Sequence, residues 1–70
     1  SVIVRVRKNG SFSVLPYSSV NEVYDESNAY DSGTWTNDGT YAFACTAGTL
    51  TYSDGTFTYI DGEITIVFKA

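Results

Sequence analysis

Three Asp-Gly pairs, Asp38-Gly39, Asp54-Gly55 and Asp61-Gly62, cut the second half of this chain into short runs in which side chains alternate. Leu50 and Tyr52 alternate with Thr49 and Thr51, Phe57 and Tyr59 with Thr56 and Thr58, and Ile64, Ile66 and Phe68 with Glu63 and Thr65. A period of two over about five residues is that of a strand with one buried face. Asp-Gly supplies the positive-φ backbone of a tight turn, since glycine has no Cβ and aspartate tolerates that region better than most residues. Recurrent glycine and Thr-rich, β-branched runs exclude a heptad coiled coil.

The same pattern extends upstream. Thr34 to Thr36 surround Trp35, and Thr40 to Cys45 place Tyr41, Phe43 and Cys45 on one face and Ala42 and Ala44 on the other. Val2 to Arg7 and Ser11 to Leu15 flank Lys8-Asn9-Gly10 as a first hairpin. Asn9-Gly10-Ser11 also spells a glycosylation sequon, but Asn-Gly is read here as the hairpin turn it commonly forms. The predicted fold is all-β: a small antiparallel meander of five to seven short strands, a rolled sheet or barrel, in one domain spanning residues 1–70.

Residues 16–32 interrupt the alternation. Ser19-Val20-Asn21-Glu22 fits a capping box, and Val20, Val23 and Tyr24 share one helical face, which predicts a single short helix. The competing reading is an extended excursion with a short strand near Glu22 to Tyr24.

Size then bears on partners. A chain of 70 residues lies near the lower limit for independent folding, where disulfides, metals or self-association commonly add stability. One cysteine, Cys45, and no histidine leave neither an internal disulfide nor an ordinary zinc site, so self-association is the expected route. Val2-Ile3-Val4 and Ile66-Val67-Phe68 are apolar on both faces, and such strands are normally covered on both. That places the terminal strands beside each other or beside a partner, with Ile3 and Val67 under residues 16–32 or against a neighbouring subunit. Arg5, Arg7, Lys8 and Lys69 cluster on these strands while the rest is acidic, a polarity suited to head-to-tail association or to guarding a sheet edge.

The absence of histidine excludes Ser-His and Cys-His catalysis. Asp25, Glu26 and Asp31 are the remaining candidates for a carboxylate pair, but so short a chain has little room to enclose a sugar between them. With Ser27 and Asn28 they offer oxygen ligands to Ca²⁺, yet the spacing departs from an EF-hand loop, and the segment is read as a solvated acidic loop. No enzyme activity, cofactor, metal or small-molecule substrate is expected. Four basic against eight acidic residues, net −4, argue against nucleic acid even though Arg5 and Arg7 share a strand face. The apolar runs are too interrupted for a membrane span. SVIVRVRK lacks the apolar core of a signal peptide and the lone cysteine fits a reducing compartment, so a cytoplasmic or virion location is expected.

The leading expectation is therefore a non-enzymatic structural or assembly subunit, in its most concrete form a bacteriophage virion or tail component, contacting protein through Ile3, Val67, Arg5 and Arg7. The alternative is a small phage-type inhibitor or protein-binding module that presents Tyr17, Tyr24, Glu26 and Tyr30, in the acidic segment 17–31, to a basic target.

Overall fold

The alternating runs form antiparallel strands, and the computed structural model describes residues 1–70 throughout. β1 (Val2–Val6), β2 (Ser11–Ser18), β3 (Val23–Tyr24), β4 (Asp31–Asn37) and β5 (Tyr41–Cys45) make the first sheet, ordered β1-β2-β4-β5, with β3 paired to the far end of β2. β6 (Thr49–Ser53), β7 (Thr56–Asp61) and β8 (Ile64–Lys69) form a second, three-stranded meander. There are eight strands where five to seven were predicted, the surplus being the two-residue β3. The sheet pair stays open, because neither β5 with β6 nor β1 with β8 forms a ladder.

Residues 16–32 settle on the extended reading. β2 runs on through Pro16 to Ser18, β3 pairs back as Tyr17↔Tyr24 and Ser18↔Val23, and one turn of 3-10 helix follows at Glu26–Asn28. Ser19 caps nothing; instead the Ser18 hydroxyl accepts the Asn21 N–H at 3.2 Å, so the tip turns before a helix can start.

Gly39, Gly55 and Gly62 occupy turns at positive φ, as the Asp-Gly pairs imply. Gly33 lies instead inside β4, where a Cβ would overlap the Ala44 carbonyl and press on the Phe12 ring. Glycine there serves close approach, not a turn.

Register decides which side chains meet. Val2, Val4 and Val6 oppose Pro16, Val14 and Phe12. Phe12 and Val14 of β2 face Leu50 of β6 and Tyr59 of β7, and these four form the buried core. Burying an apolar side chain of this size contributes about 1.5–3 kcal/mol. Leu15 adjoins Val14 in the chain and so points to the opposite face of β2, yet it too is buried. That outer face lies beside the 3-10 turn, and Ile3, opposite Leu15, is half-buried there. Trp35 turns inward, its indole N–H donating to the Arg7 carbonyl at 2.9 Å.

Gly33→Ala is expected to cost about 2 kcal/mol of folding stability by overpacking, read as a lower urea midpoint at unchanged slope.

Candidate functional site

The two sheets are tied firmly at one end. Asp31, the first residue of β4, is only 6% exposed. Its carboxylate accepts five donors: the N–H groups of Ser32 (2.8 Å), Thr46 (3.0 Å), Ala47 (3.3 Å) and Gly48 (2.8 Å), and the Tyr59 hydroxyl (2.8 Å). Thr46 to Gly48 link β5 to β6 and Tyr59 belongs to β7, so one side chain holds the first sheet, the link and the second sheet together. Burial alone pushes the carboxyl up, but the Gly48 N–H, the Tyr59 hydroxyl and the Ser32 and Ala47 N–H groups outweigh it and hold Asp31 below the usual aspartate range. Burial, reinforced by the same carboxylate, pushes the Tyr59 hydroxyl up, which keeps it a donor. Placing Asp31 in a solvated acidic loop is therefore corrected. Successive N–H groups of the β5–β6 link converge on it as a nest, which exists only once the fold has formed.

At the opposite end the sheets part. A half-open cavity of about 200 Å³ is lined entirely by apolar residues: Val4 and Val6 of β1, Tyr41 and Phe43 of β5, Tyr52 of β6, Phe57 of β7, and Ala70. A second hollow of about 180 Å³, lined by Ile3, Val4, Phe57, Phe68, Lys69 and Ala70, shares three of those residues. The two are continuous along the gap between the β1 and β8 edges. Aromatic contacts frame the mouth, with ring centroids 4.8 Å apart for Tyr52 and Phe57, 5.3 Å for Phe57 and Phe68, and 5.8 Å for Tyr41 and Tyr52. The larger hollow has no charged side chain in its wall, and Lys69 is the one charged residue lining the second.

The candidate residues read from sequence fall in separate places. Arg5, Arg7 and Glu26 come together on the outer face of the first sheet: Glu26 bridges Arg7 at 2.7 Å and Arg5 at 3.3 Å, and Arg7 also donates to Ser13 at 3.0 Å. The Arg7 guanidinium, seconded by Arg5, holds the Glu26 carboxyl below its ordinary range against some desolvation. Glu26 is thus engaged internally and does not stand free toward a target. Asp25 likewise caps the 3-10 turn, accepting the Ser27 N–H at 2.9 Å. Tyr17 and Tyr24 pack edge to face at 5.3 Å, and the Tyr24 hydroxyl meets Ser1 at 3.1 Å. Tyr30 is exposed, but its N–H donates to the Val14 carbonyl, which pins the backbone there. Val67 lies 63% exposed on the outer face of β8. Ile3 sits across the β1–β8 gap from Phe68, so the terminal strands do lie near each other, without hydrogen bonds between them.

Sequence reasoning missed the aromatic mouth as a surface. The alternation that identified Tyr41, Phe43, Tyr52 and Phe57 as inward-facing carries no sign that the sheets diverge there. Nowhere do three or more His, Cys, Asp or Glu side chains converge as a metal site would require. Comparison with protein-family models, with curated proteins and with solved structures found no match.

Asp31→Asn is expected to destabilise the fold by about 3 kcal/mol, since buried N–H donors then face a weaker, half-mismatched acceptor. The folded carboxyl is held below its ordinary value of 3.8, so its contribution is complete above that value and drains away as pH falls through the folded pKa. Melting temperature should fall with acidification below about pH 4, and Asp31→Asn should be less stable at neutral pH but lose less on acidification.

Proposed function

We propose that the protein is a non-enzymatic structural subunit that assembles with copies of itself. The observation that carries this reading is the unpaired β8 edge together with the outer face of the second sheet. Thr49, Thr51, Thr58 and Thr65 surround Ile60 and Val67 on that face by register, with Lys69 as the one charged side chain that its strands place there. Exposed strand edges recruit other strands unless charges, bulges or a covering segment prevent it. Here Lys69 guards only the last residue of β8, and its ammonium is engaged by the Thr56 hydroxyl at 2.9 Å.

The scarcity of core points the same way. Only seven of the 70 residues are buried, while nine large hydrophobic side chains stay exposed, so burial between copies offers stability that the single chain lacks. A shell or tube of repeated subunits, such as a virion or tail component, is the concrete form of this reading. The rival, a module presenting its acidic loop to a basic target, has less support, because Asp25, Glu26 and Asp31 are all held by internal donors.

Light scattering across a concentration series is expected to show a multiple of the 7.6 kDa chain mass. Val67→Asp should return that mass to the monomer with the melting temperature unchanged. A wild-type monomer at every concentration would remove the proposal. Ile3→Asp, by contrast, is expected to lower the melting temperature, because Ile3 is half-buried opposite Leu15.

A further inference from the structure

The open edge of β8 has a parity that decides what can pair with it. β7 and β8 are joined by the two-residue turn Gly62-Glu63, and just past the far end of their ladder the Ala70 N–H donates to the Gly55 carbonyl at 2.9 Å. Antiparallel ladders alternate, so Ile64, Ile66 and Phe68 turn their backbone N–H and C=O groups toward β7, while Thr65, Val67 and Lys69 turn theirs to the open edge. The register with β7 is unbroken from Lys69 to Ile64 and the strand holds no proline, so neither a bulge nor a missing donor blunts this edge. Resting on the assembly reading, we infer that β8 pairs with β8 of a second copy, antiparallel about a two-fold axis at Ile66, so that the two three-stranded sheets become one continuous sheet.

The strand is complementary to itself in this register. Thr65 of each copy opposes Val67 of the other, and these are residues whose backbone groups are free to exchange hydrogen bonds. On the core-facing side Ile66 meets its own copy and Ile64 meets Phe68, which gives cover to an Ile64 that is 53% exposed in the single chain. Glu63 comes opposite Lys69 at both ends of the seam. Lys69 already meets the Thr56 hydroxyl at 2.9 Å, and an ammonium has further donors for a carboxylate. The surrounding charges are compatible with this pairing. Asp61, beside Ile64, adds negative charge at the Glu63 end, where Lys69 of the other copy arrives. Asp54 lies on the β6–β7 turn, across β8 from the seam, roughly 10 Å or two strand spacings from the incoming Glu63, where salt screens it. Arg5 and Arg7 are held by Glu26 on the outer face of the first sheet.

The other open edge, β1, fits neither β8 nor itself so well. The Arg7 N–H donates to the Ser11 carbonyl and the Ser1 carbonyl accepts the Tyr17 N–H, so Val2, Val4 and Val6 are the residues whose backbone groups face that edge. The Val2 and Val4 side chains turn to the core, whereas Val67 points outward. Pairing β8 with β1 of another copy would therefore set an outer face level with a core face. Pairing β1 with β1 would bring no carboxylate opposite Arg5, since the strand has none. A shared β8 edge is isologous and closes a pair, so larger assemblies are built from dimers.

Charge reversal tests the register. Glu63→Lys and Lys69→Glu each place like charges opposite one another at both ends of the seam, and each should weaken self-association roughly tenfold in sedimentation equilibrium. Mixed in equal amounts, the two variants should pair as tightly as wild type, because every like-charge pair becomes an opposite one. Circular dichroism checks that both fold. Amide hydrogen exchange gives a second readout: the Thr65 and Val67 N–H groups should exchange more slowly as concentration rises, and that of Val4 should not. Unchanged affinity in both variants, or no protection at Thr65 and Val67, while wild-type chains still associate, would overturn the β8 seam and leave assembly standing. Weakened variants that stay apart when mixed would overturn the register. Wild-type chains monomeric at every concentration would overturn both the seam and the assembly reading.

Discussion

The Asp31 carboxylate is the interaction on which the arrangement of the two sheets depends. Five donors from three parts of the chain converge on it, and none of the three is near another in sequence except the link residues themselves. Taking a carboxylate out of water costs several kcal/mol, which is recovered only when its lone pairs are filled by well-directed, charge-assisted bonds. Because that condition is met only in one relative placement of β4, β7 and the β5–β6 link, the buried charge specifies geometry as well as contributing stability.

The rest of the shape follows from having that anchor at one end. Phe12, Val14, Leu50 and Tyr59 pack close to it and are buried, whereas Tyr41, Tyr52 and Phe57, farther along the same strands, remain partly open to solvent. A chain this short lacks the side chains to fill both ends of a two-sheet interior. Aromatic rings reduce the deficit by edge-to-face contacts, Phe43 meeting Phe12 within its own sheet at 5.1 Å and Phe57 across the gap at 6.1 Å. The outer face of the first sheet is treated differently. The 3-10 turn Glu26–Asn28 lies over it, and the Arg5, Arg7 and Glu26 cluster fastens that cover. An exposed ion cluster of this sort adds little stability in itself, so its role is to position the 3-10 turn over Leu15.

The outer face of the second sheet has no such cover. The asymmetry between a covered first sheet and an open second one is what gives the domain distinct surfaces, and distinct surfaces are what a repeating assembly uses. Its threonines are at home in solvent, where β-branched side chains suit a pleated surface, and Lys69 is the one charged side chain its strands place there.

Most of the strand content was legible in the sequence, because alternation between Asp-Gly turns is a local code: the inward set Leu50, Tyr52, Phe57, Tyr59, Ile66 and Phe68 follows from period two alone. Where that code was absent or overridden, the sequence was ambiguous or misleading. Gly33 is a close-approach point for Phe12 and the Ala44 carbonyl that no local pattern announces, and Asp31 and Glu26 read as a solvated acidic loop but are both held by internal donors. The aromatic mouth was equally hidden. Strand identity is set by neighbours two residues apart, whereas the pairing of a carboxylate with N–H groups fifteen residues away, or the divergence of two sheets, is settled only when long-range burial brings those groups together.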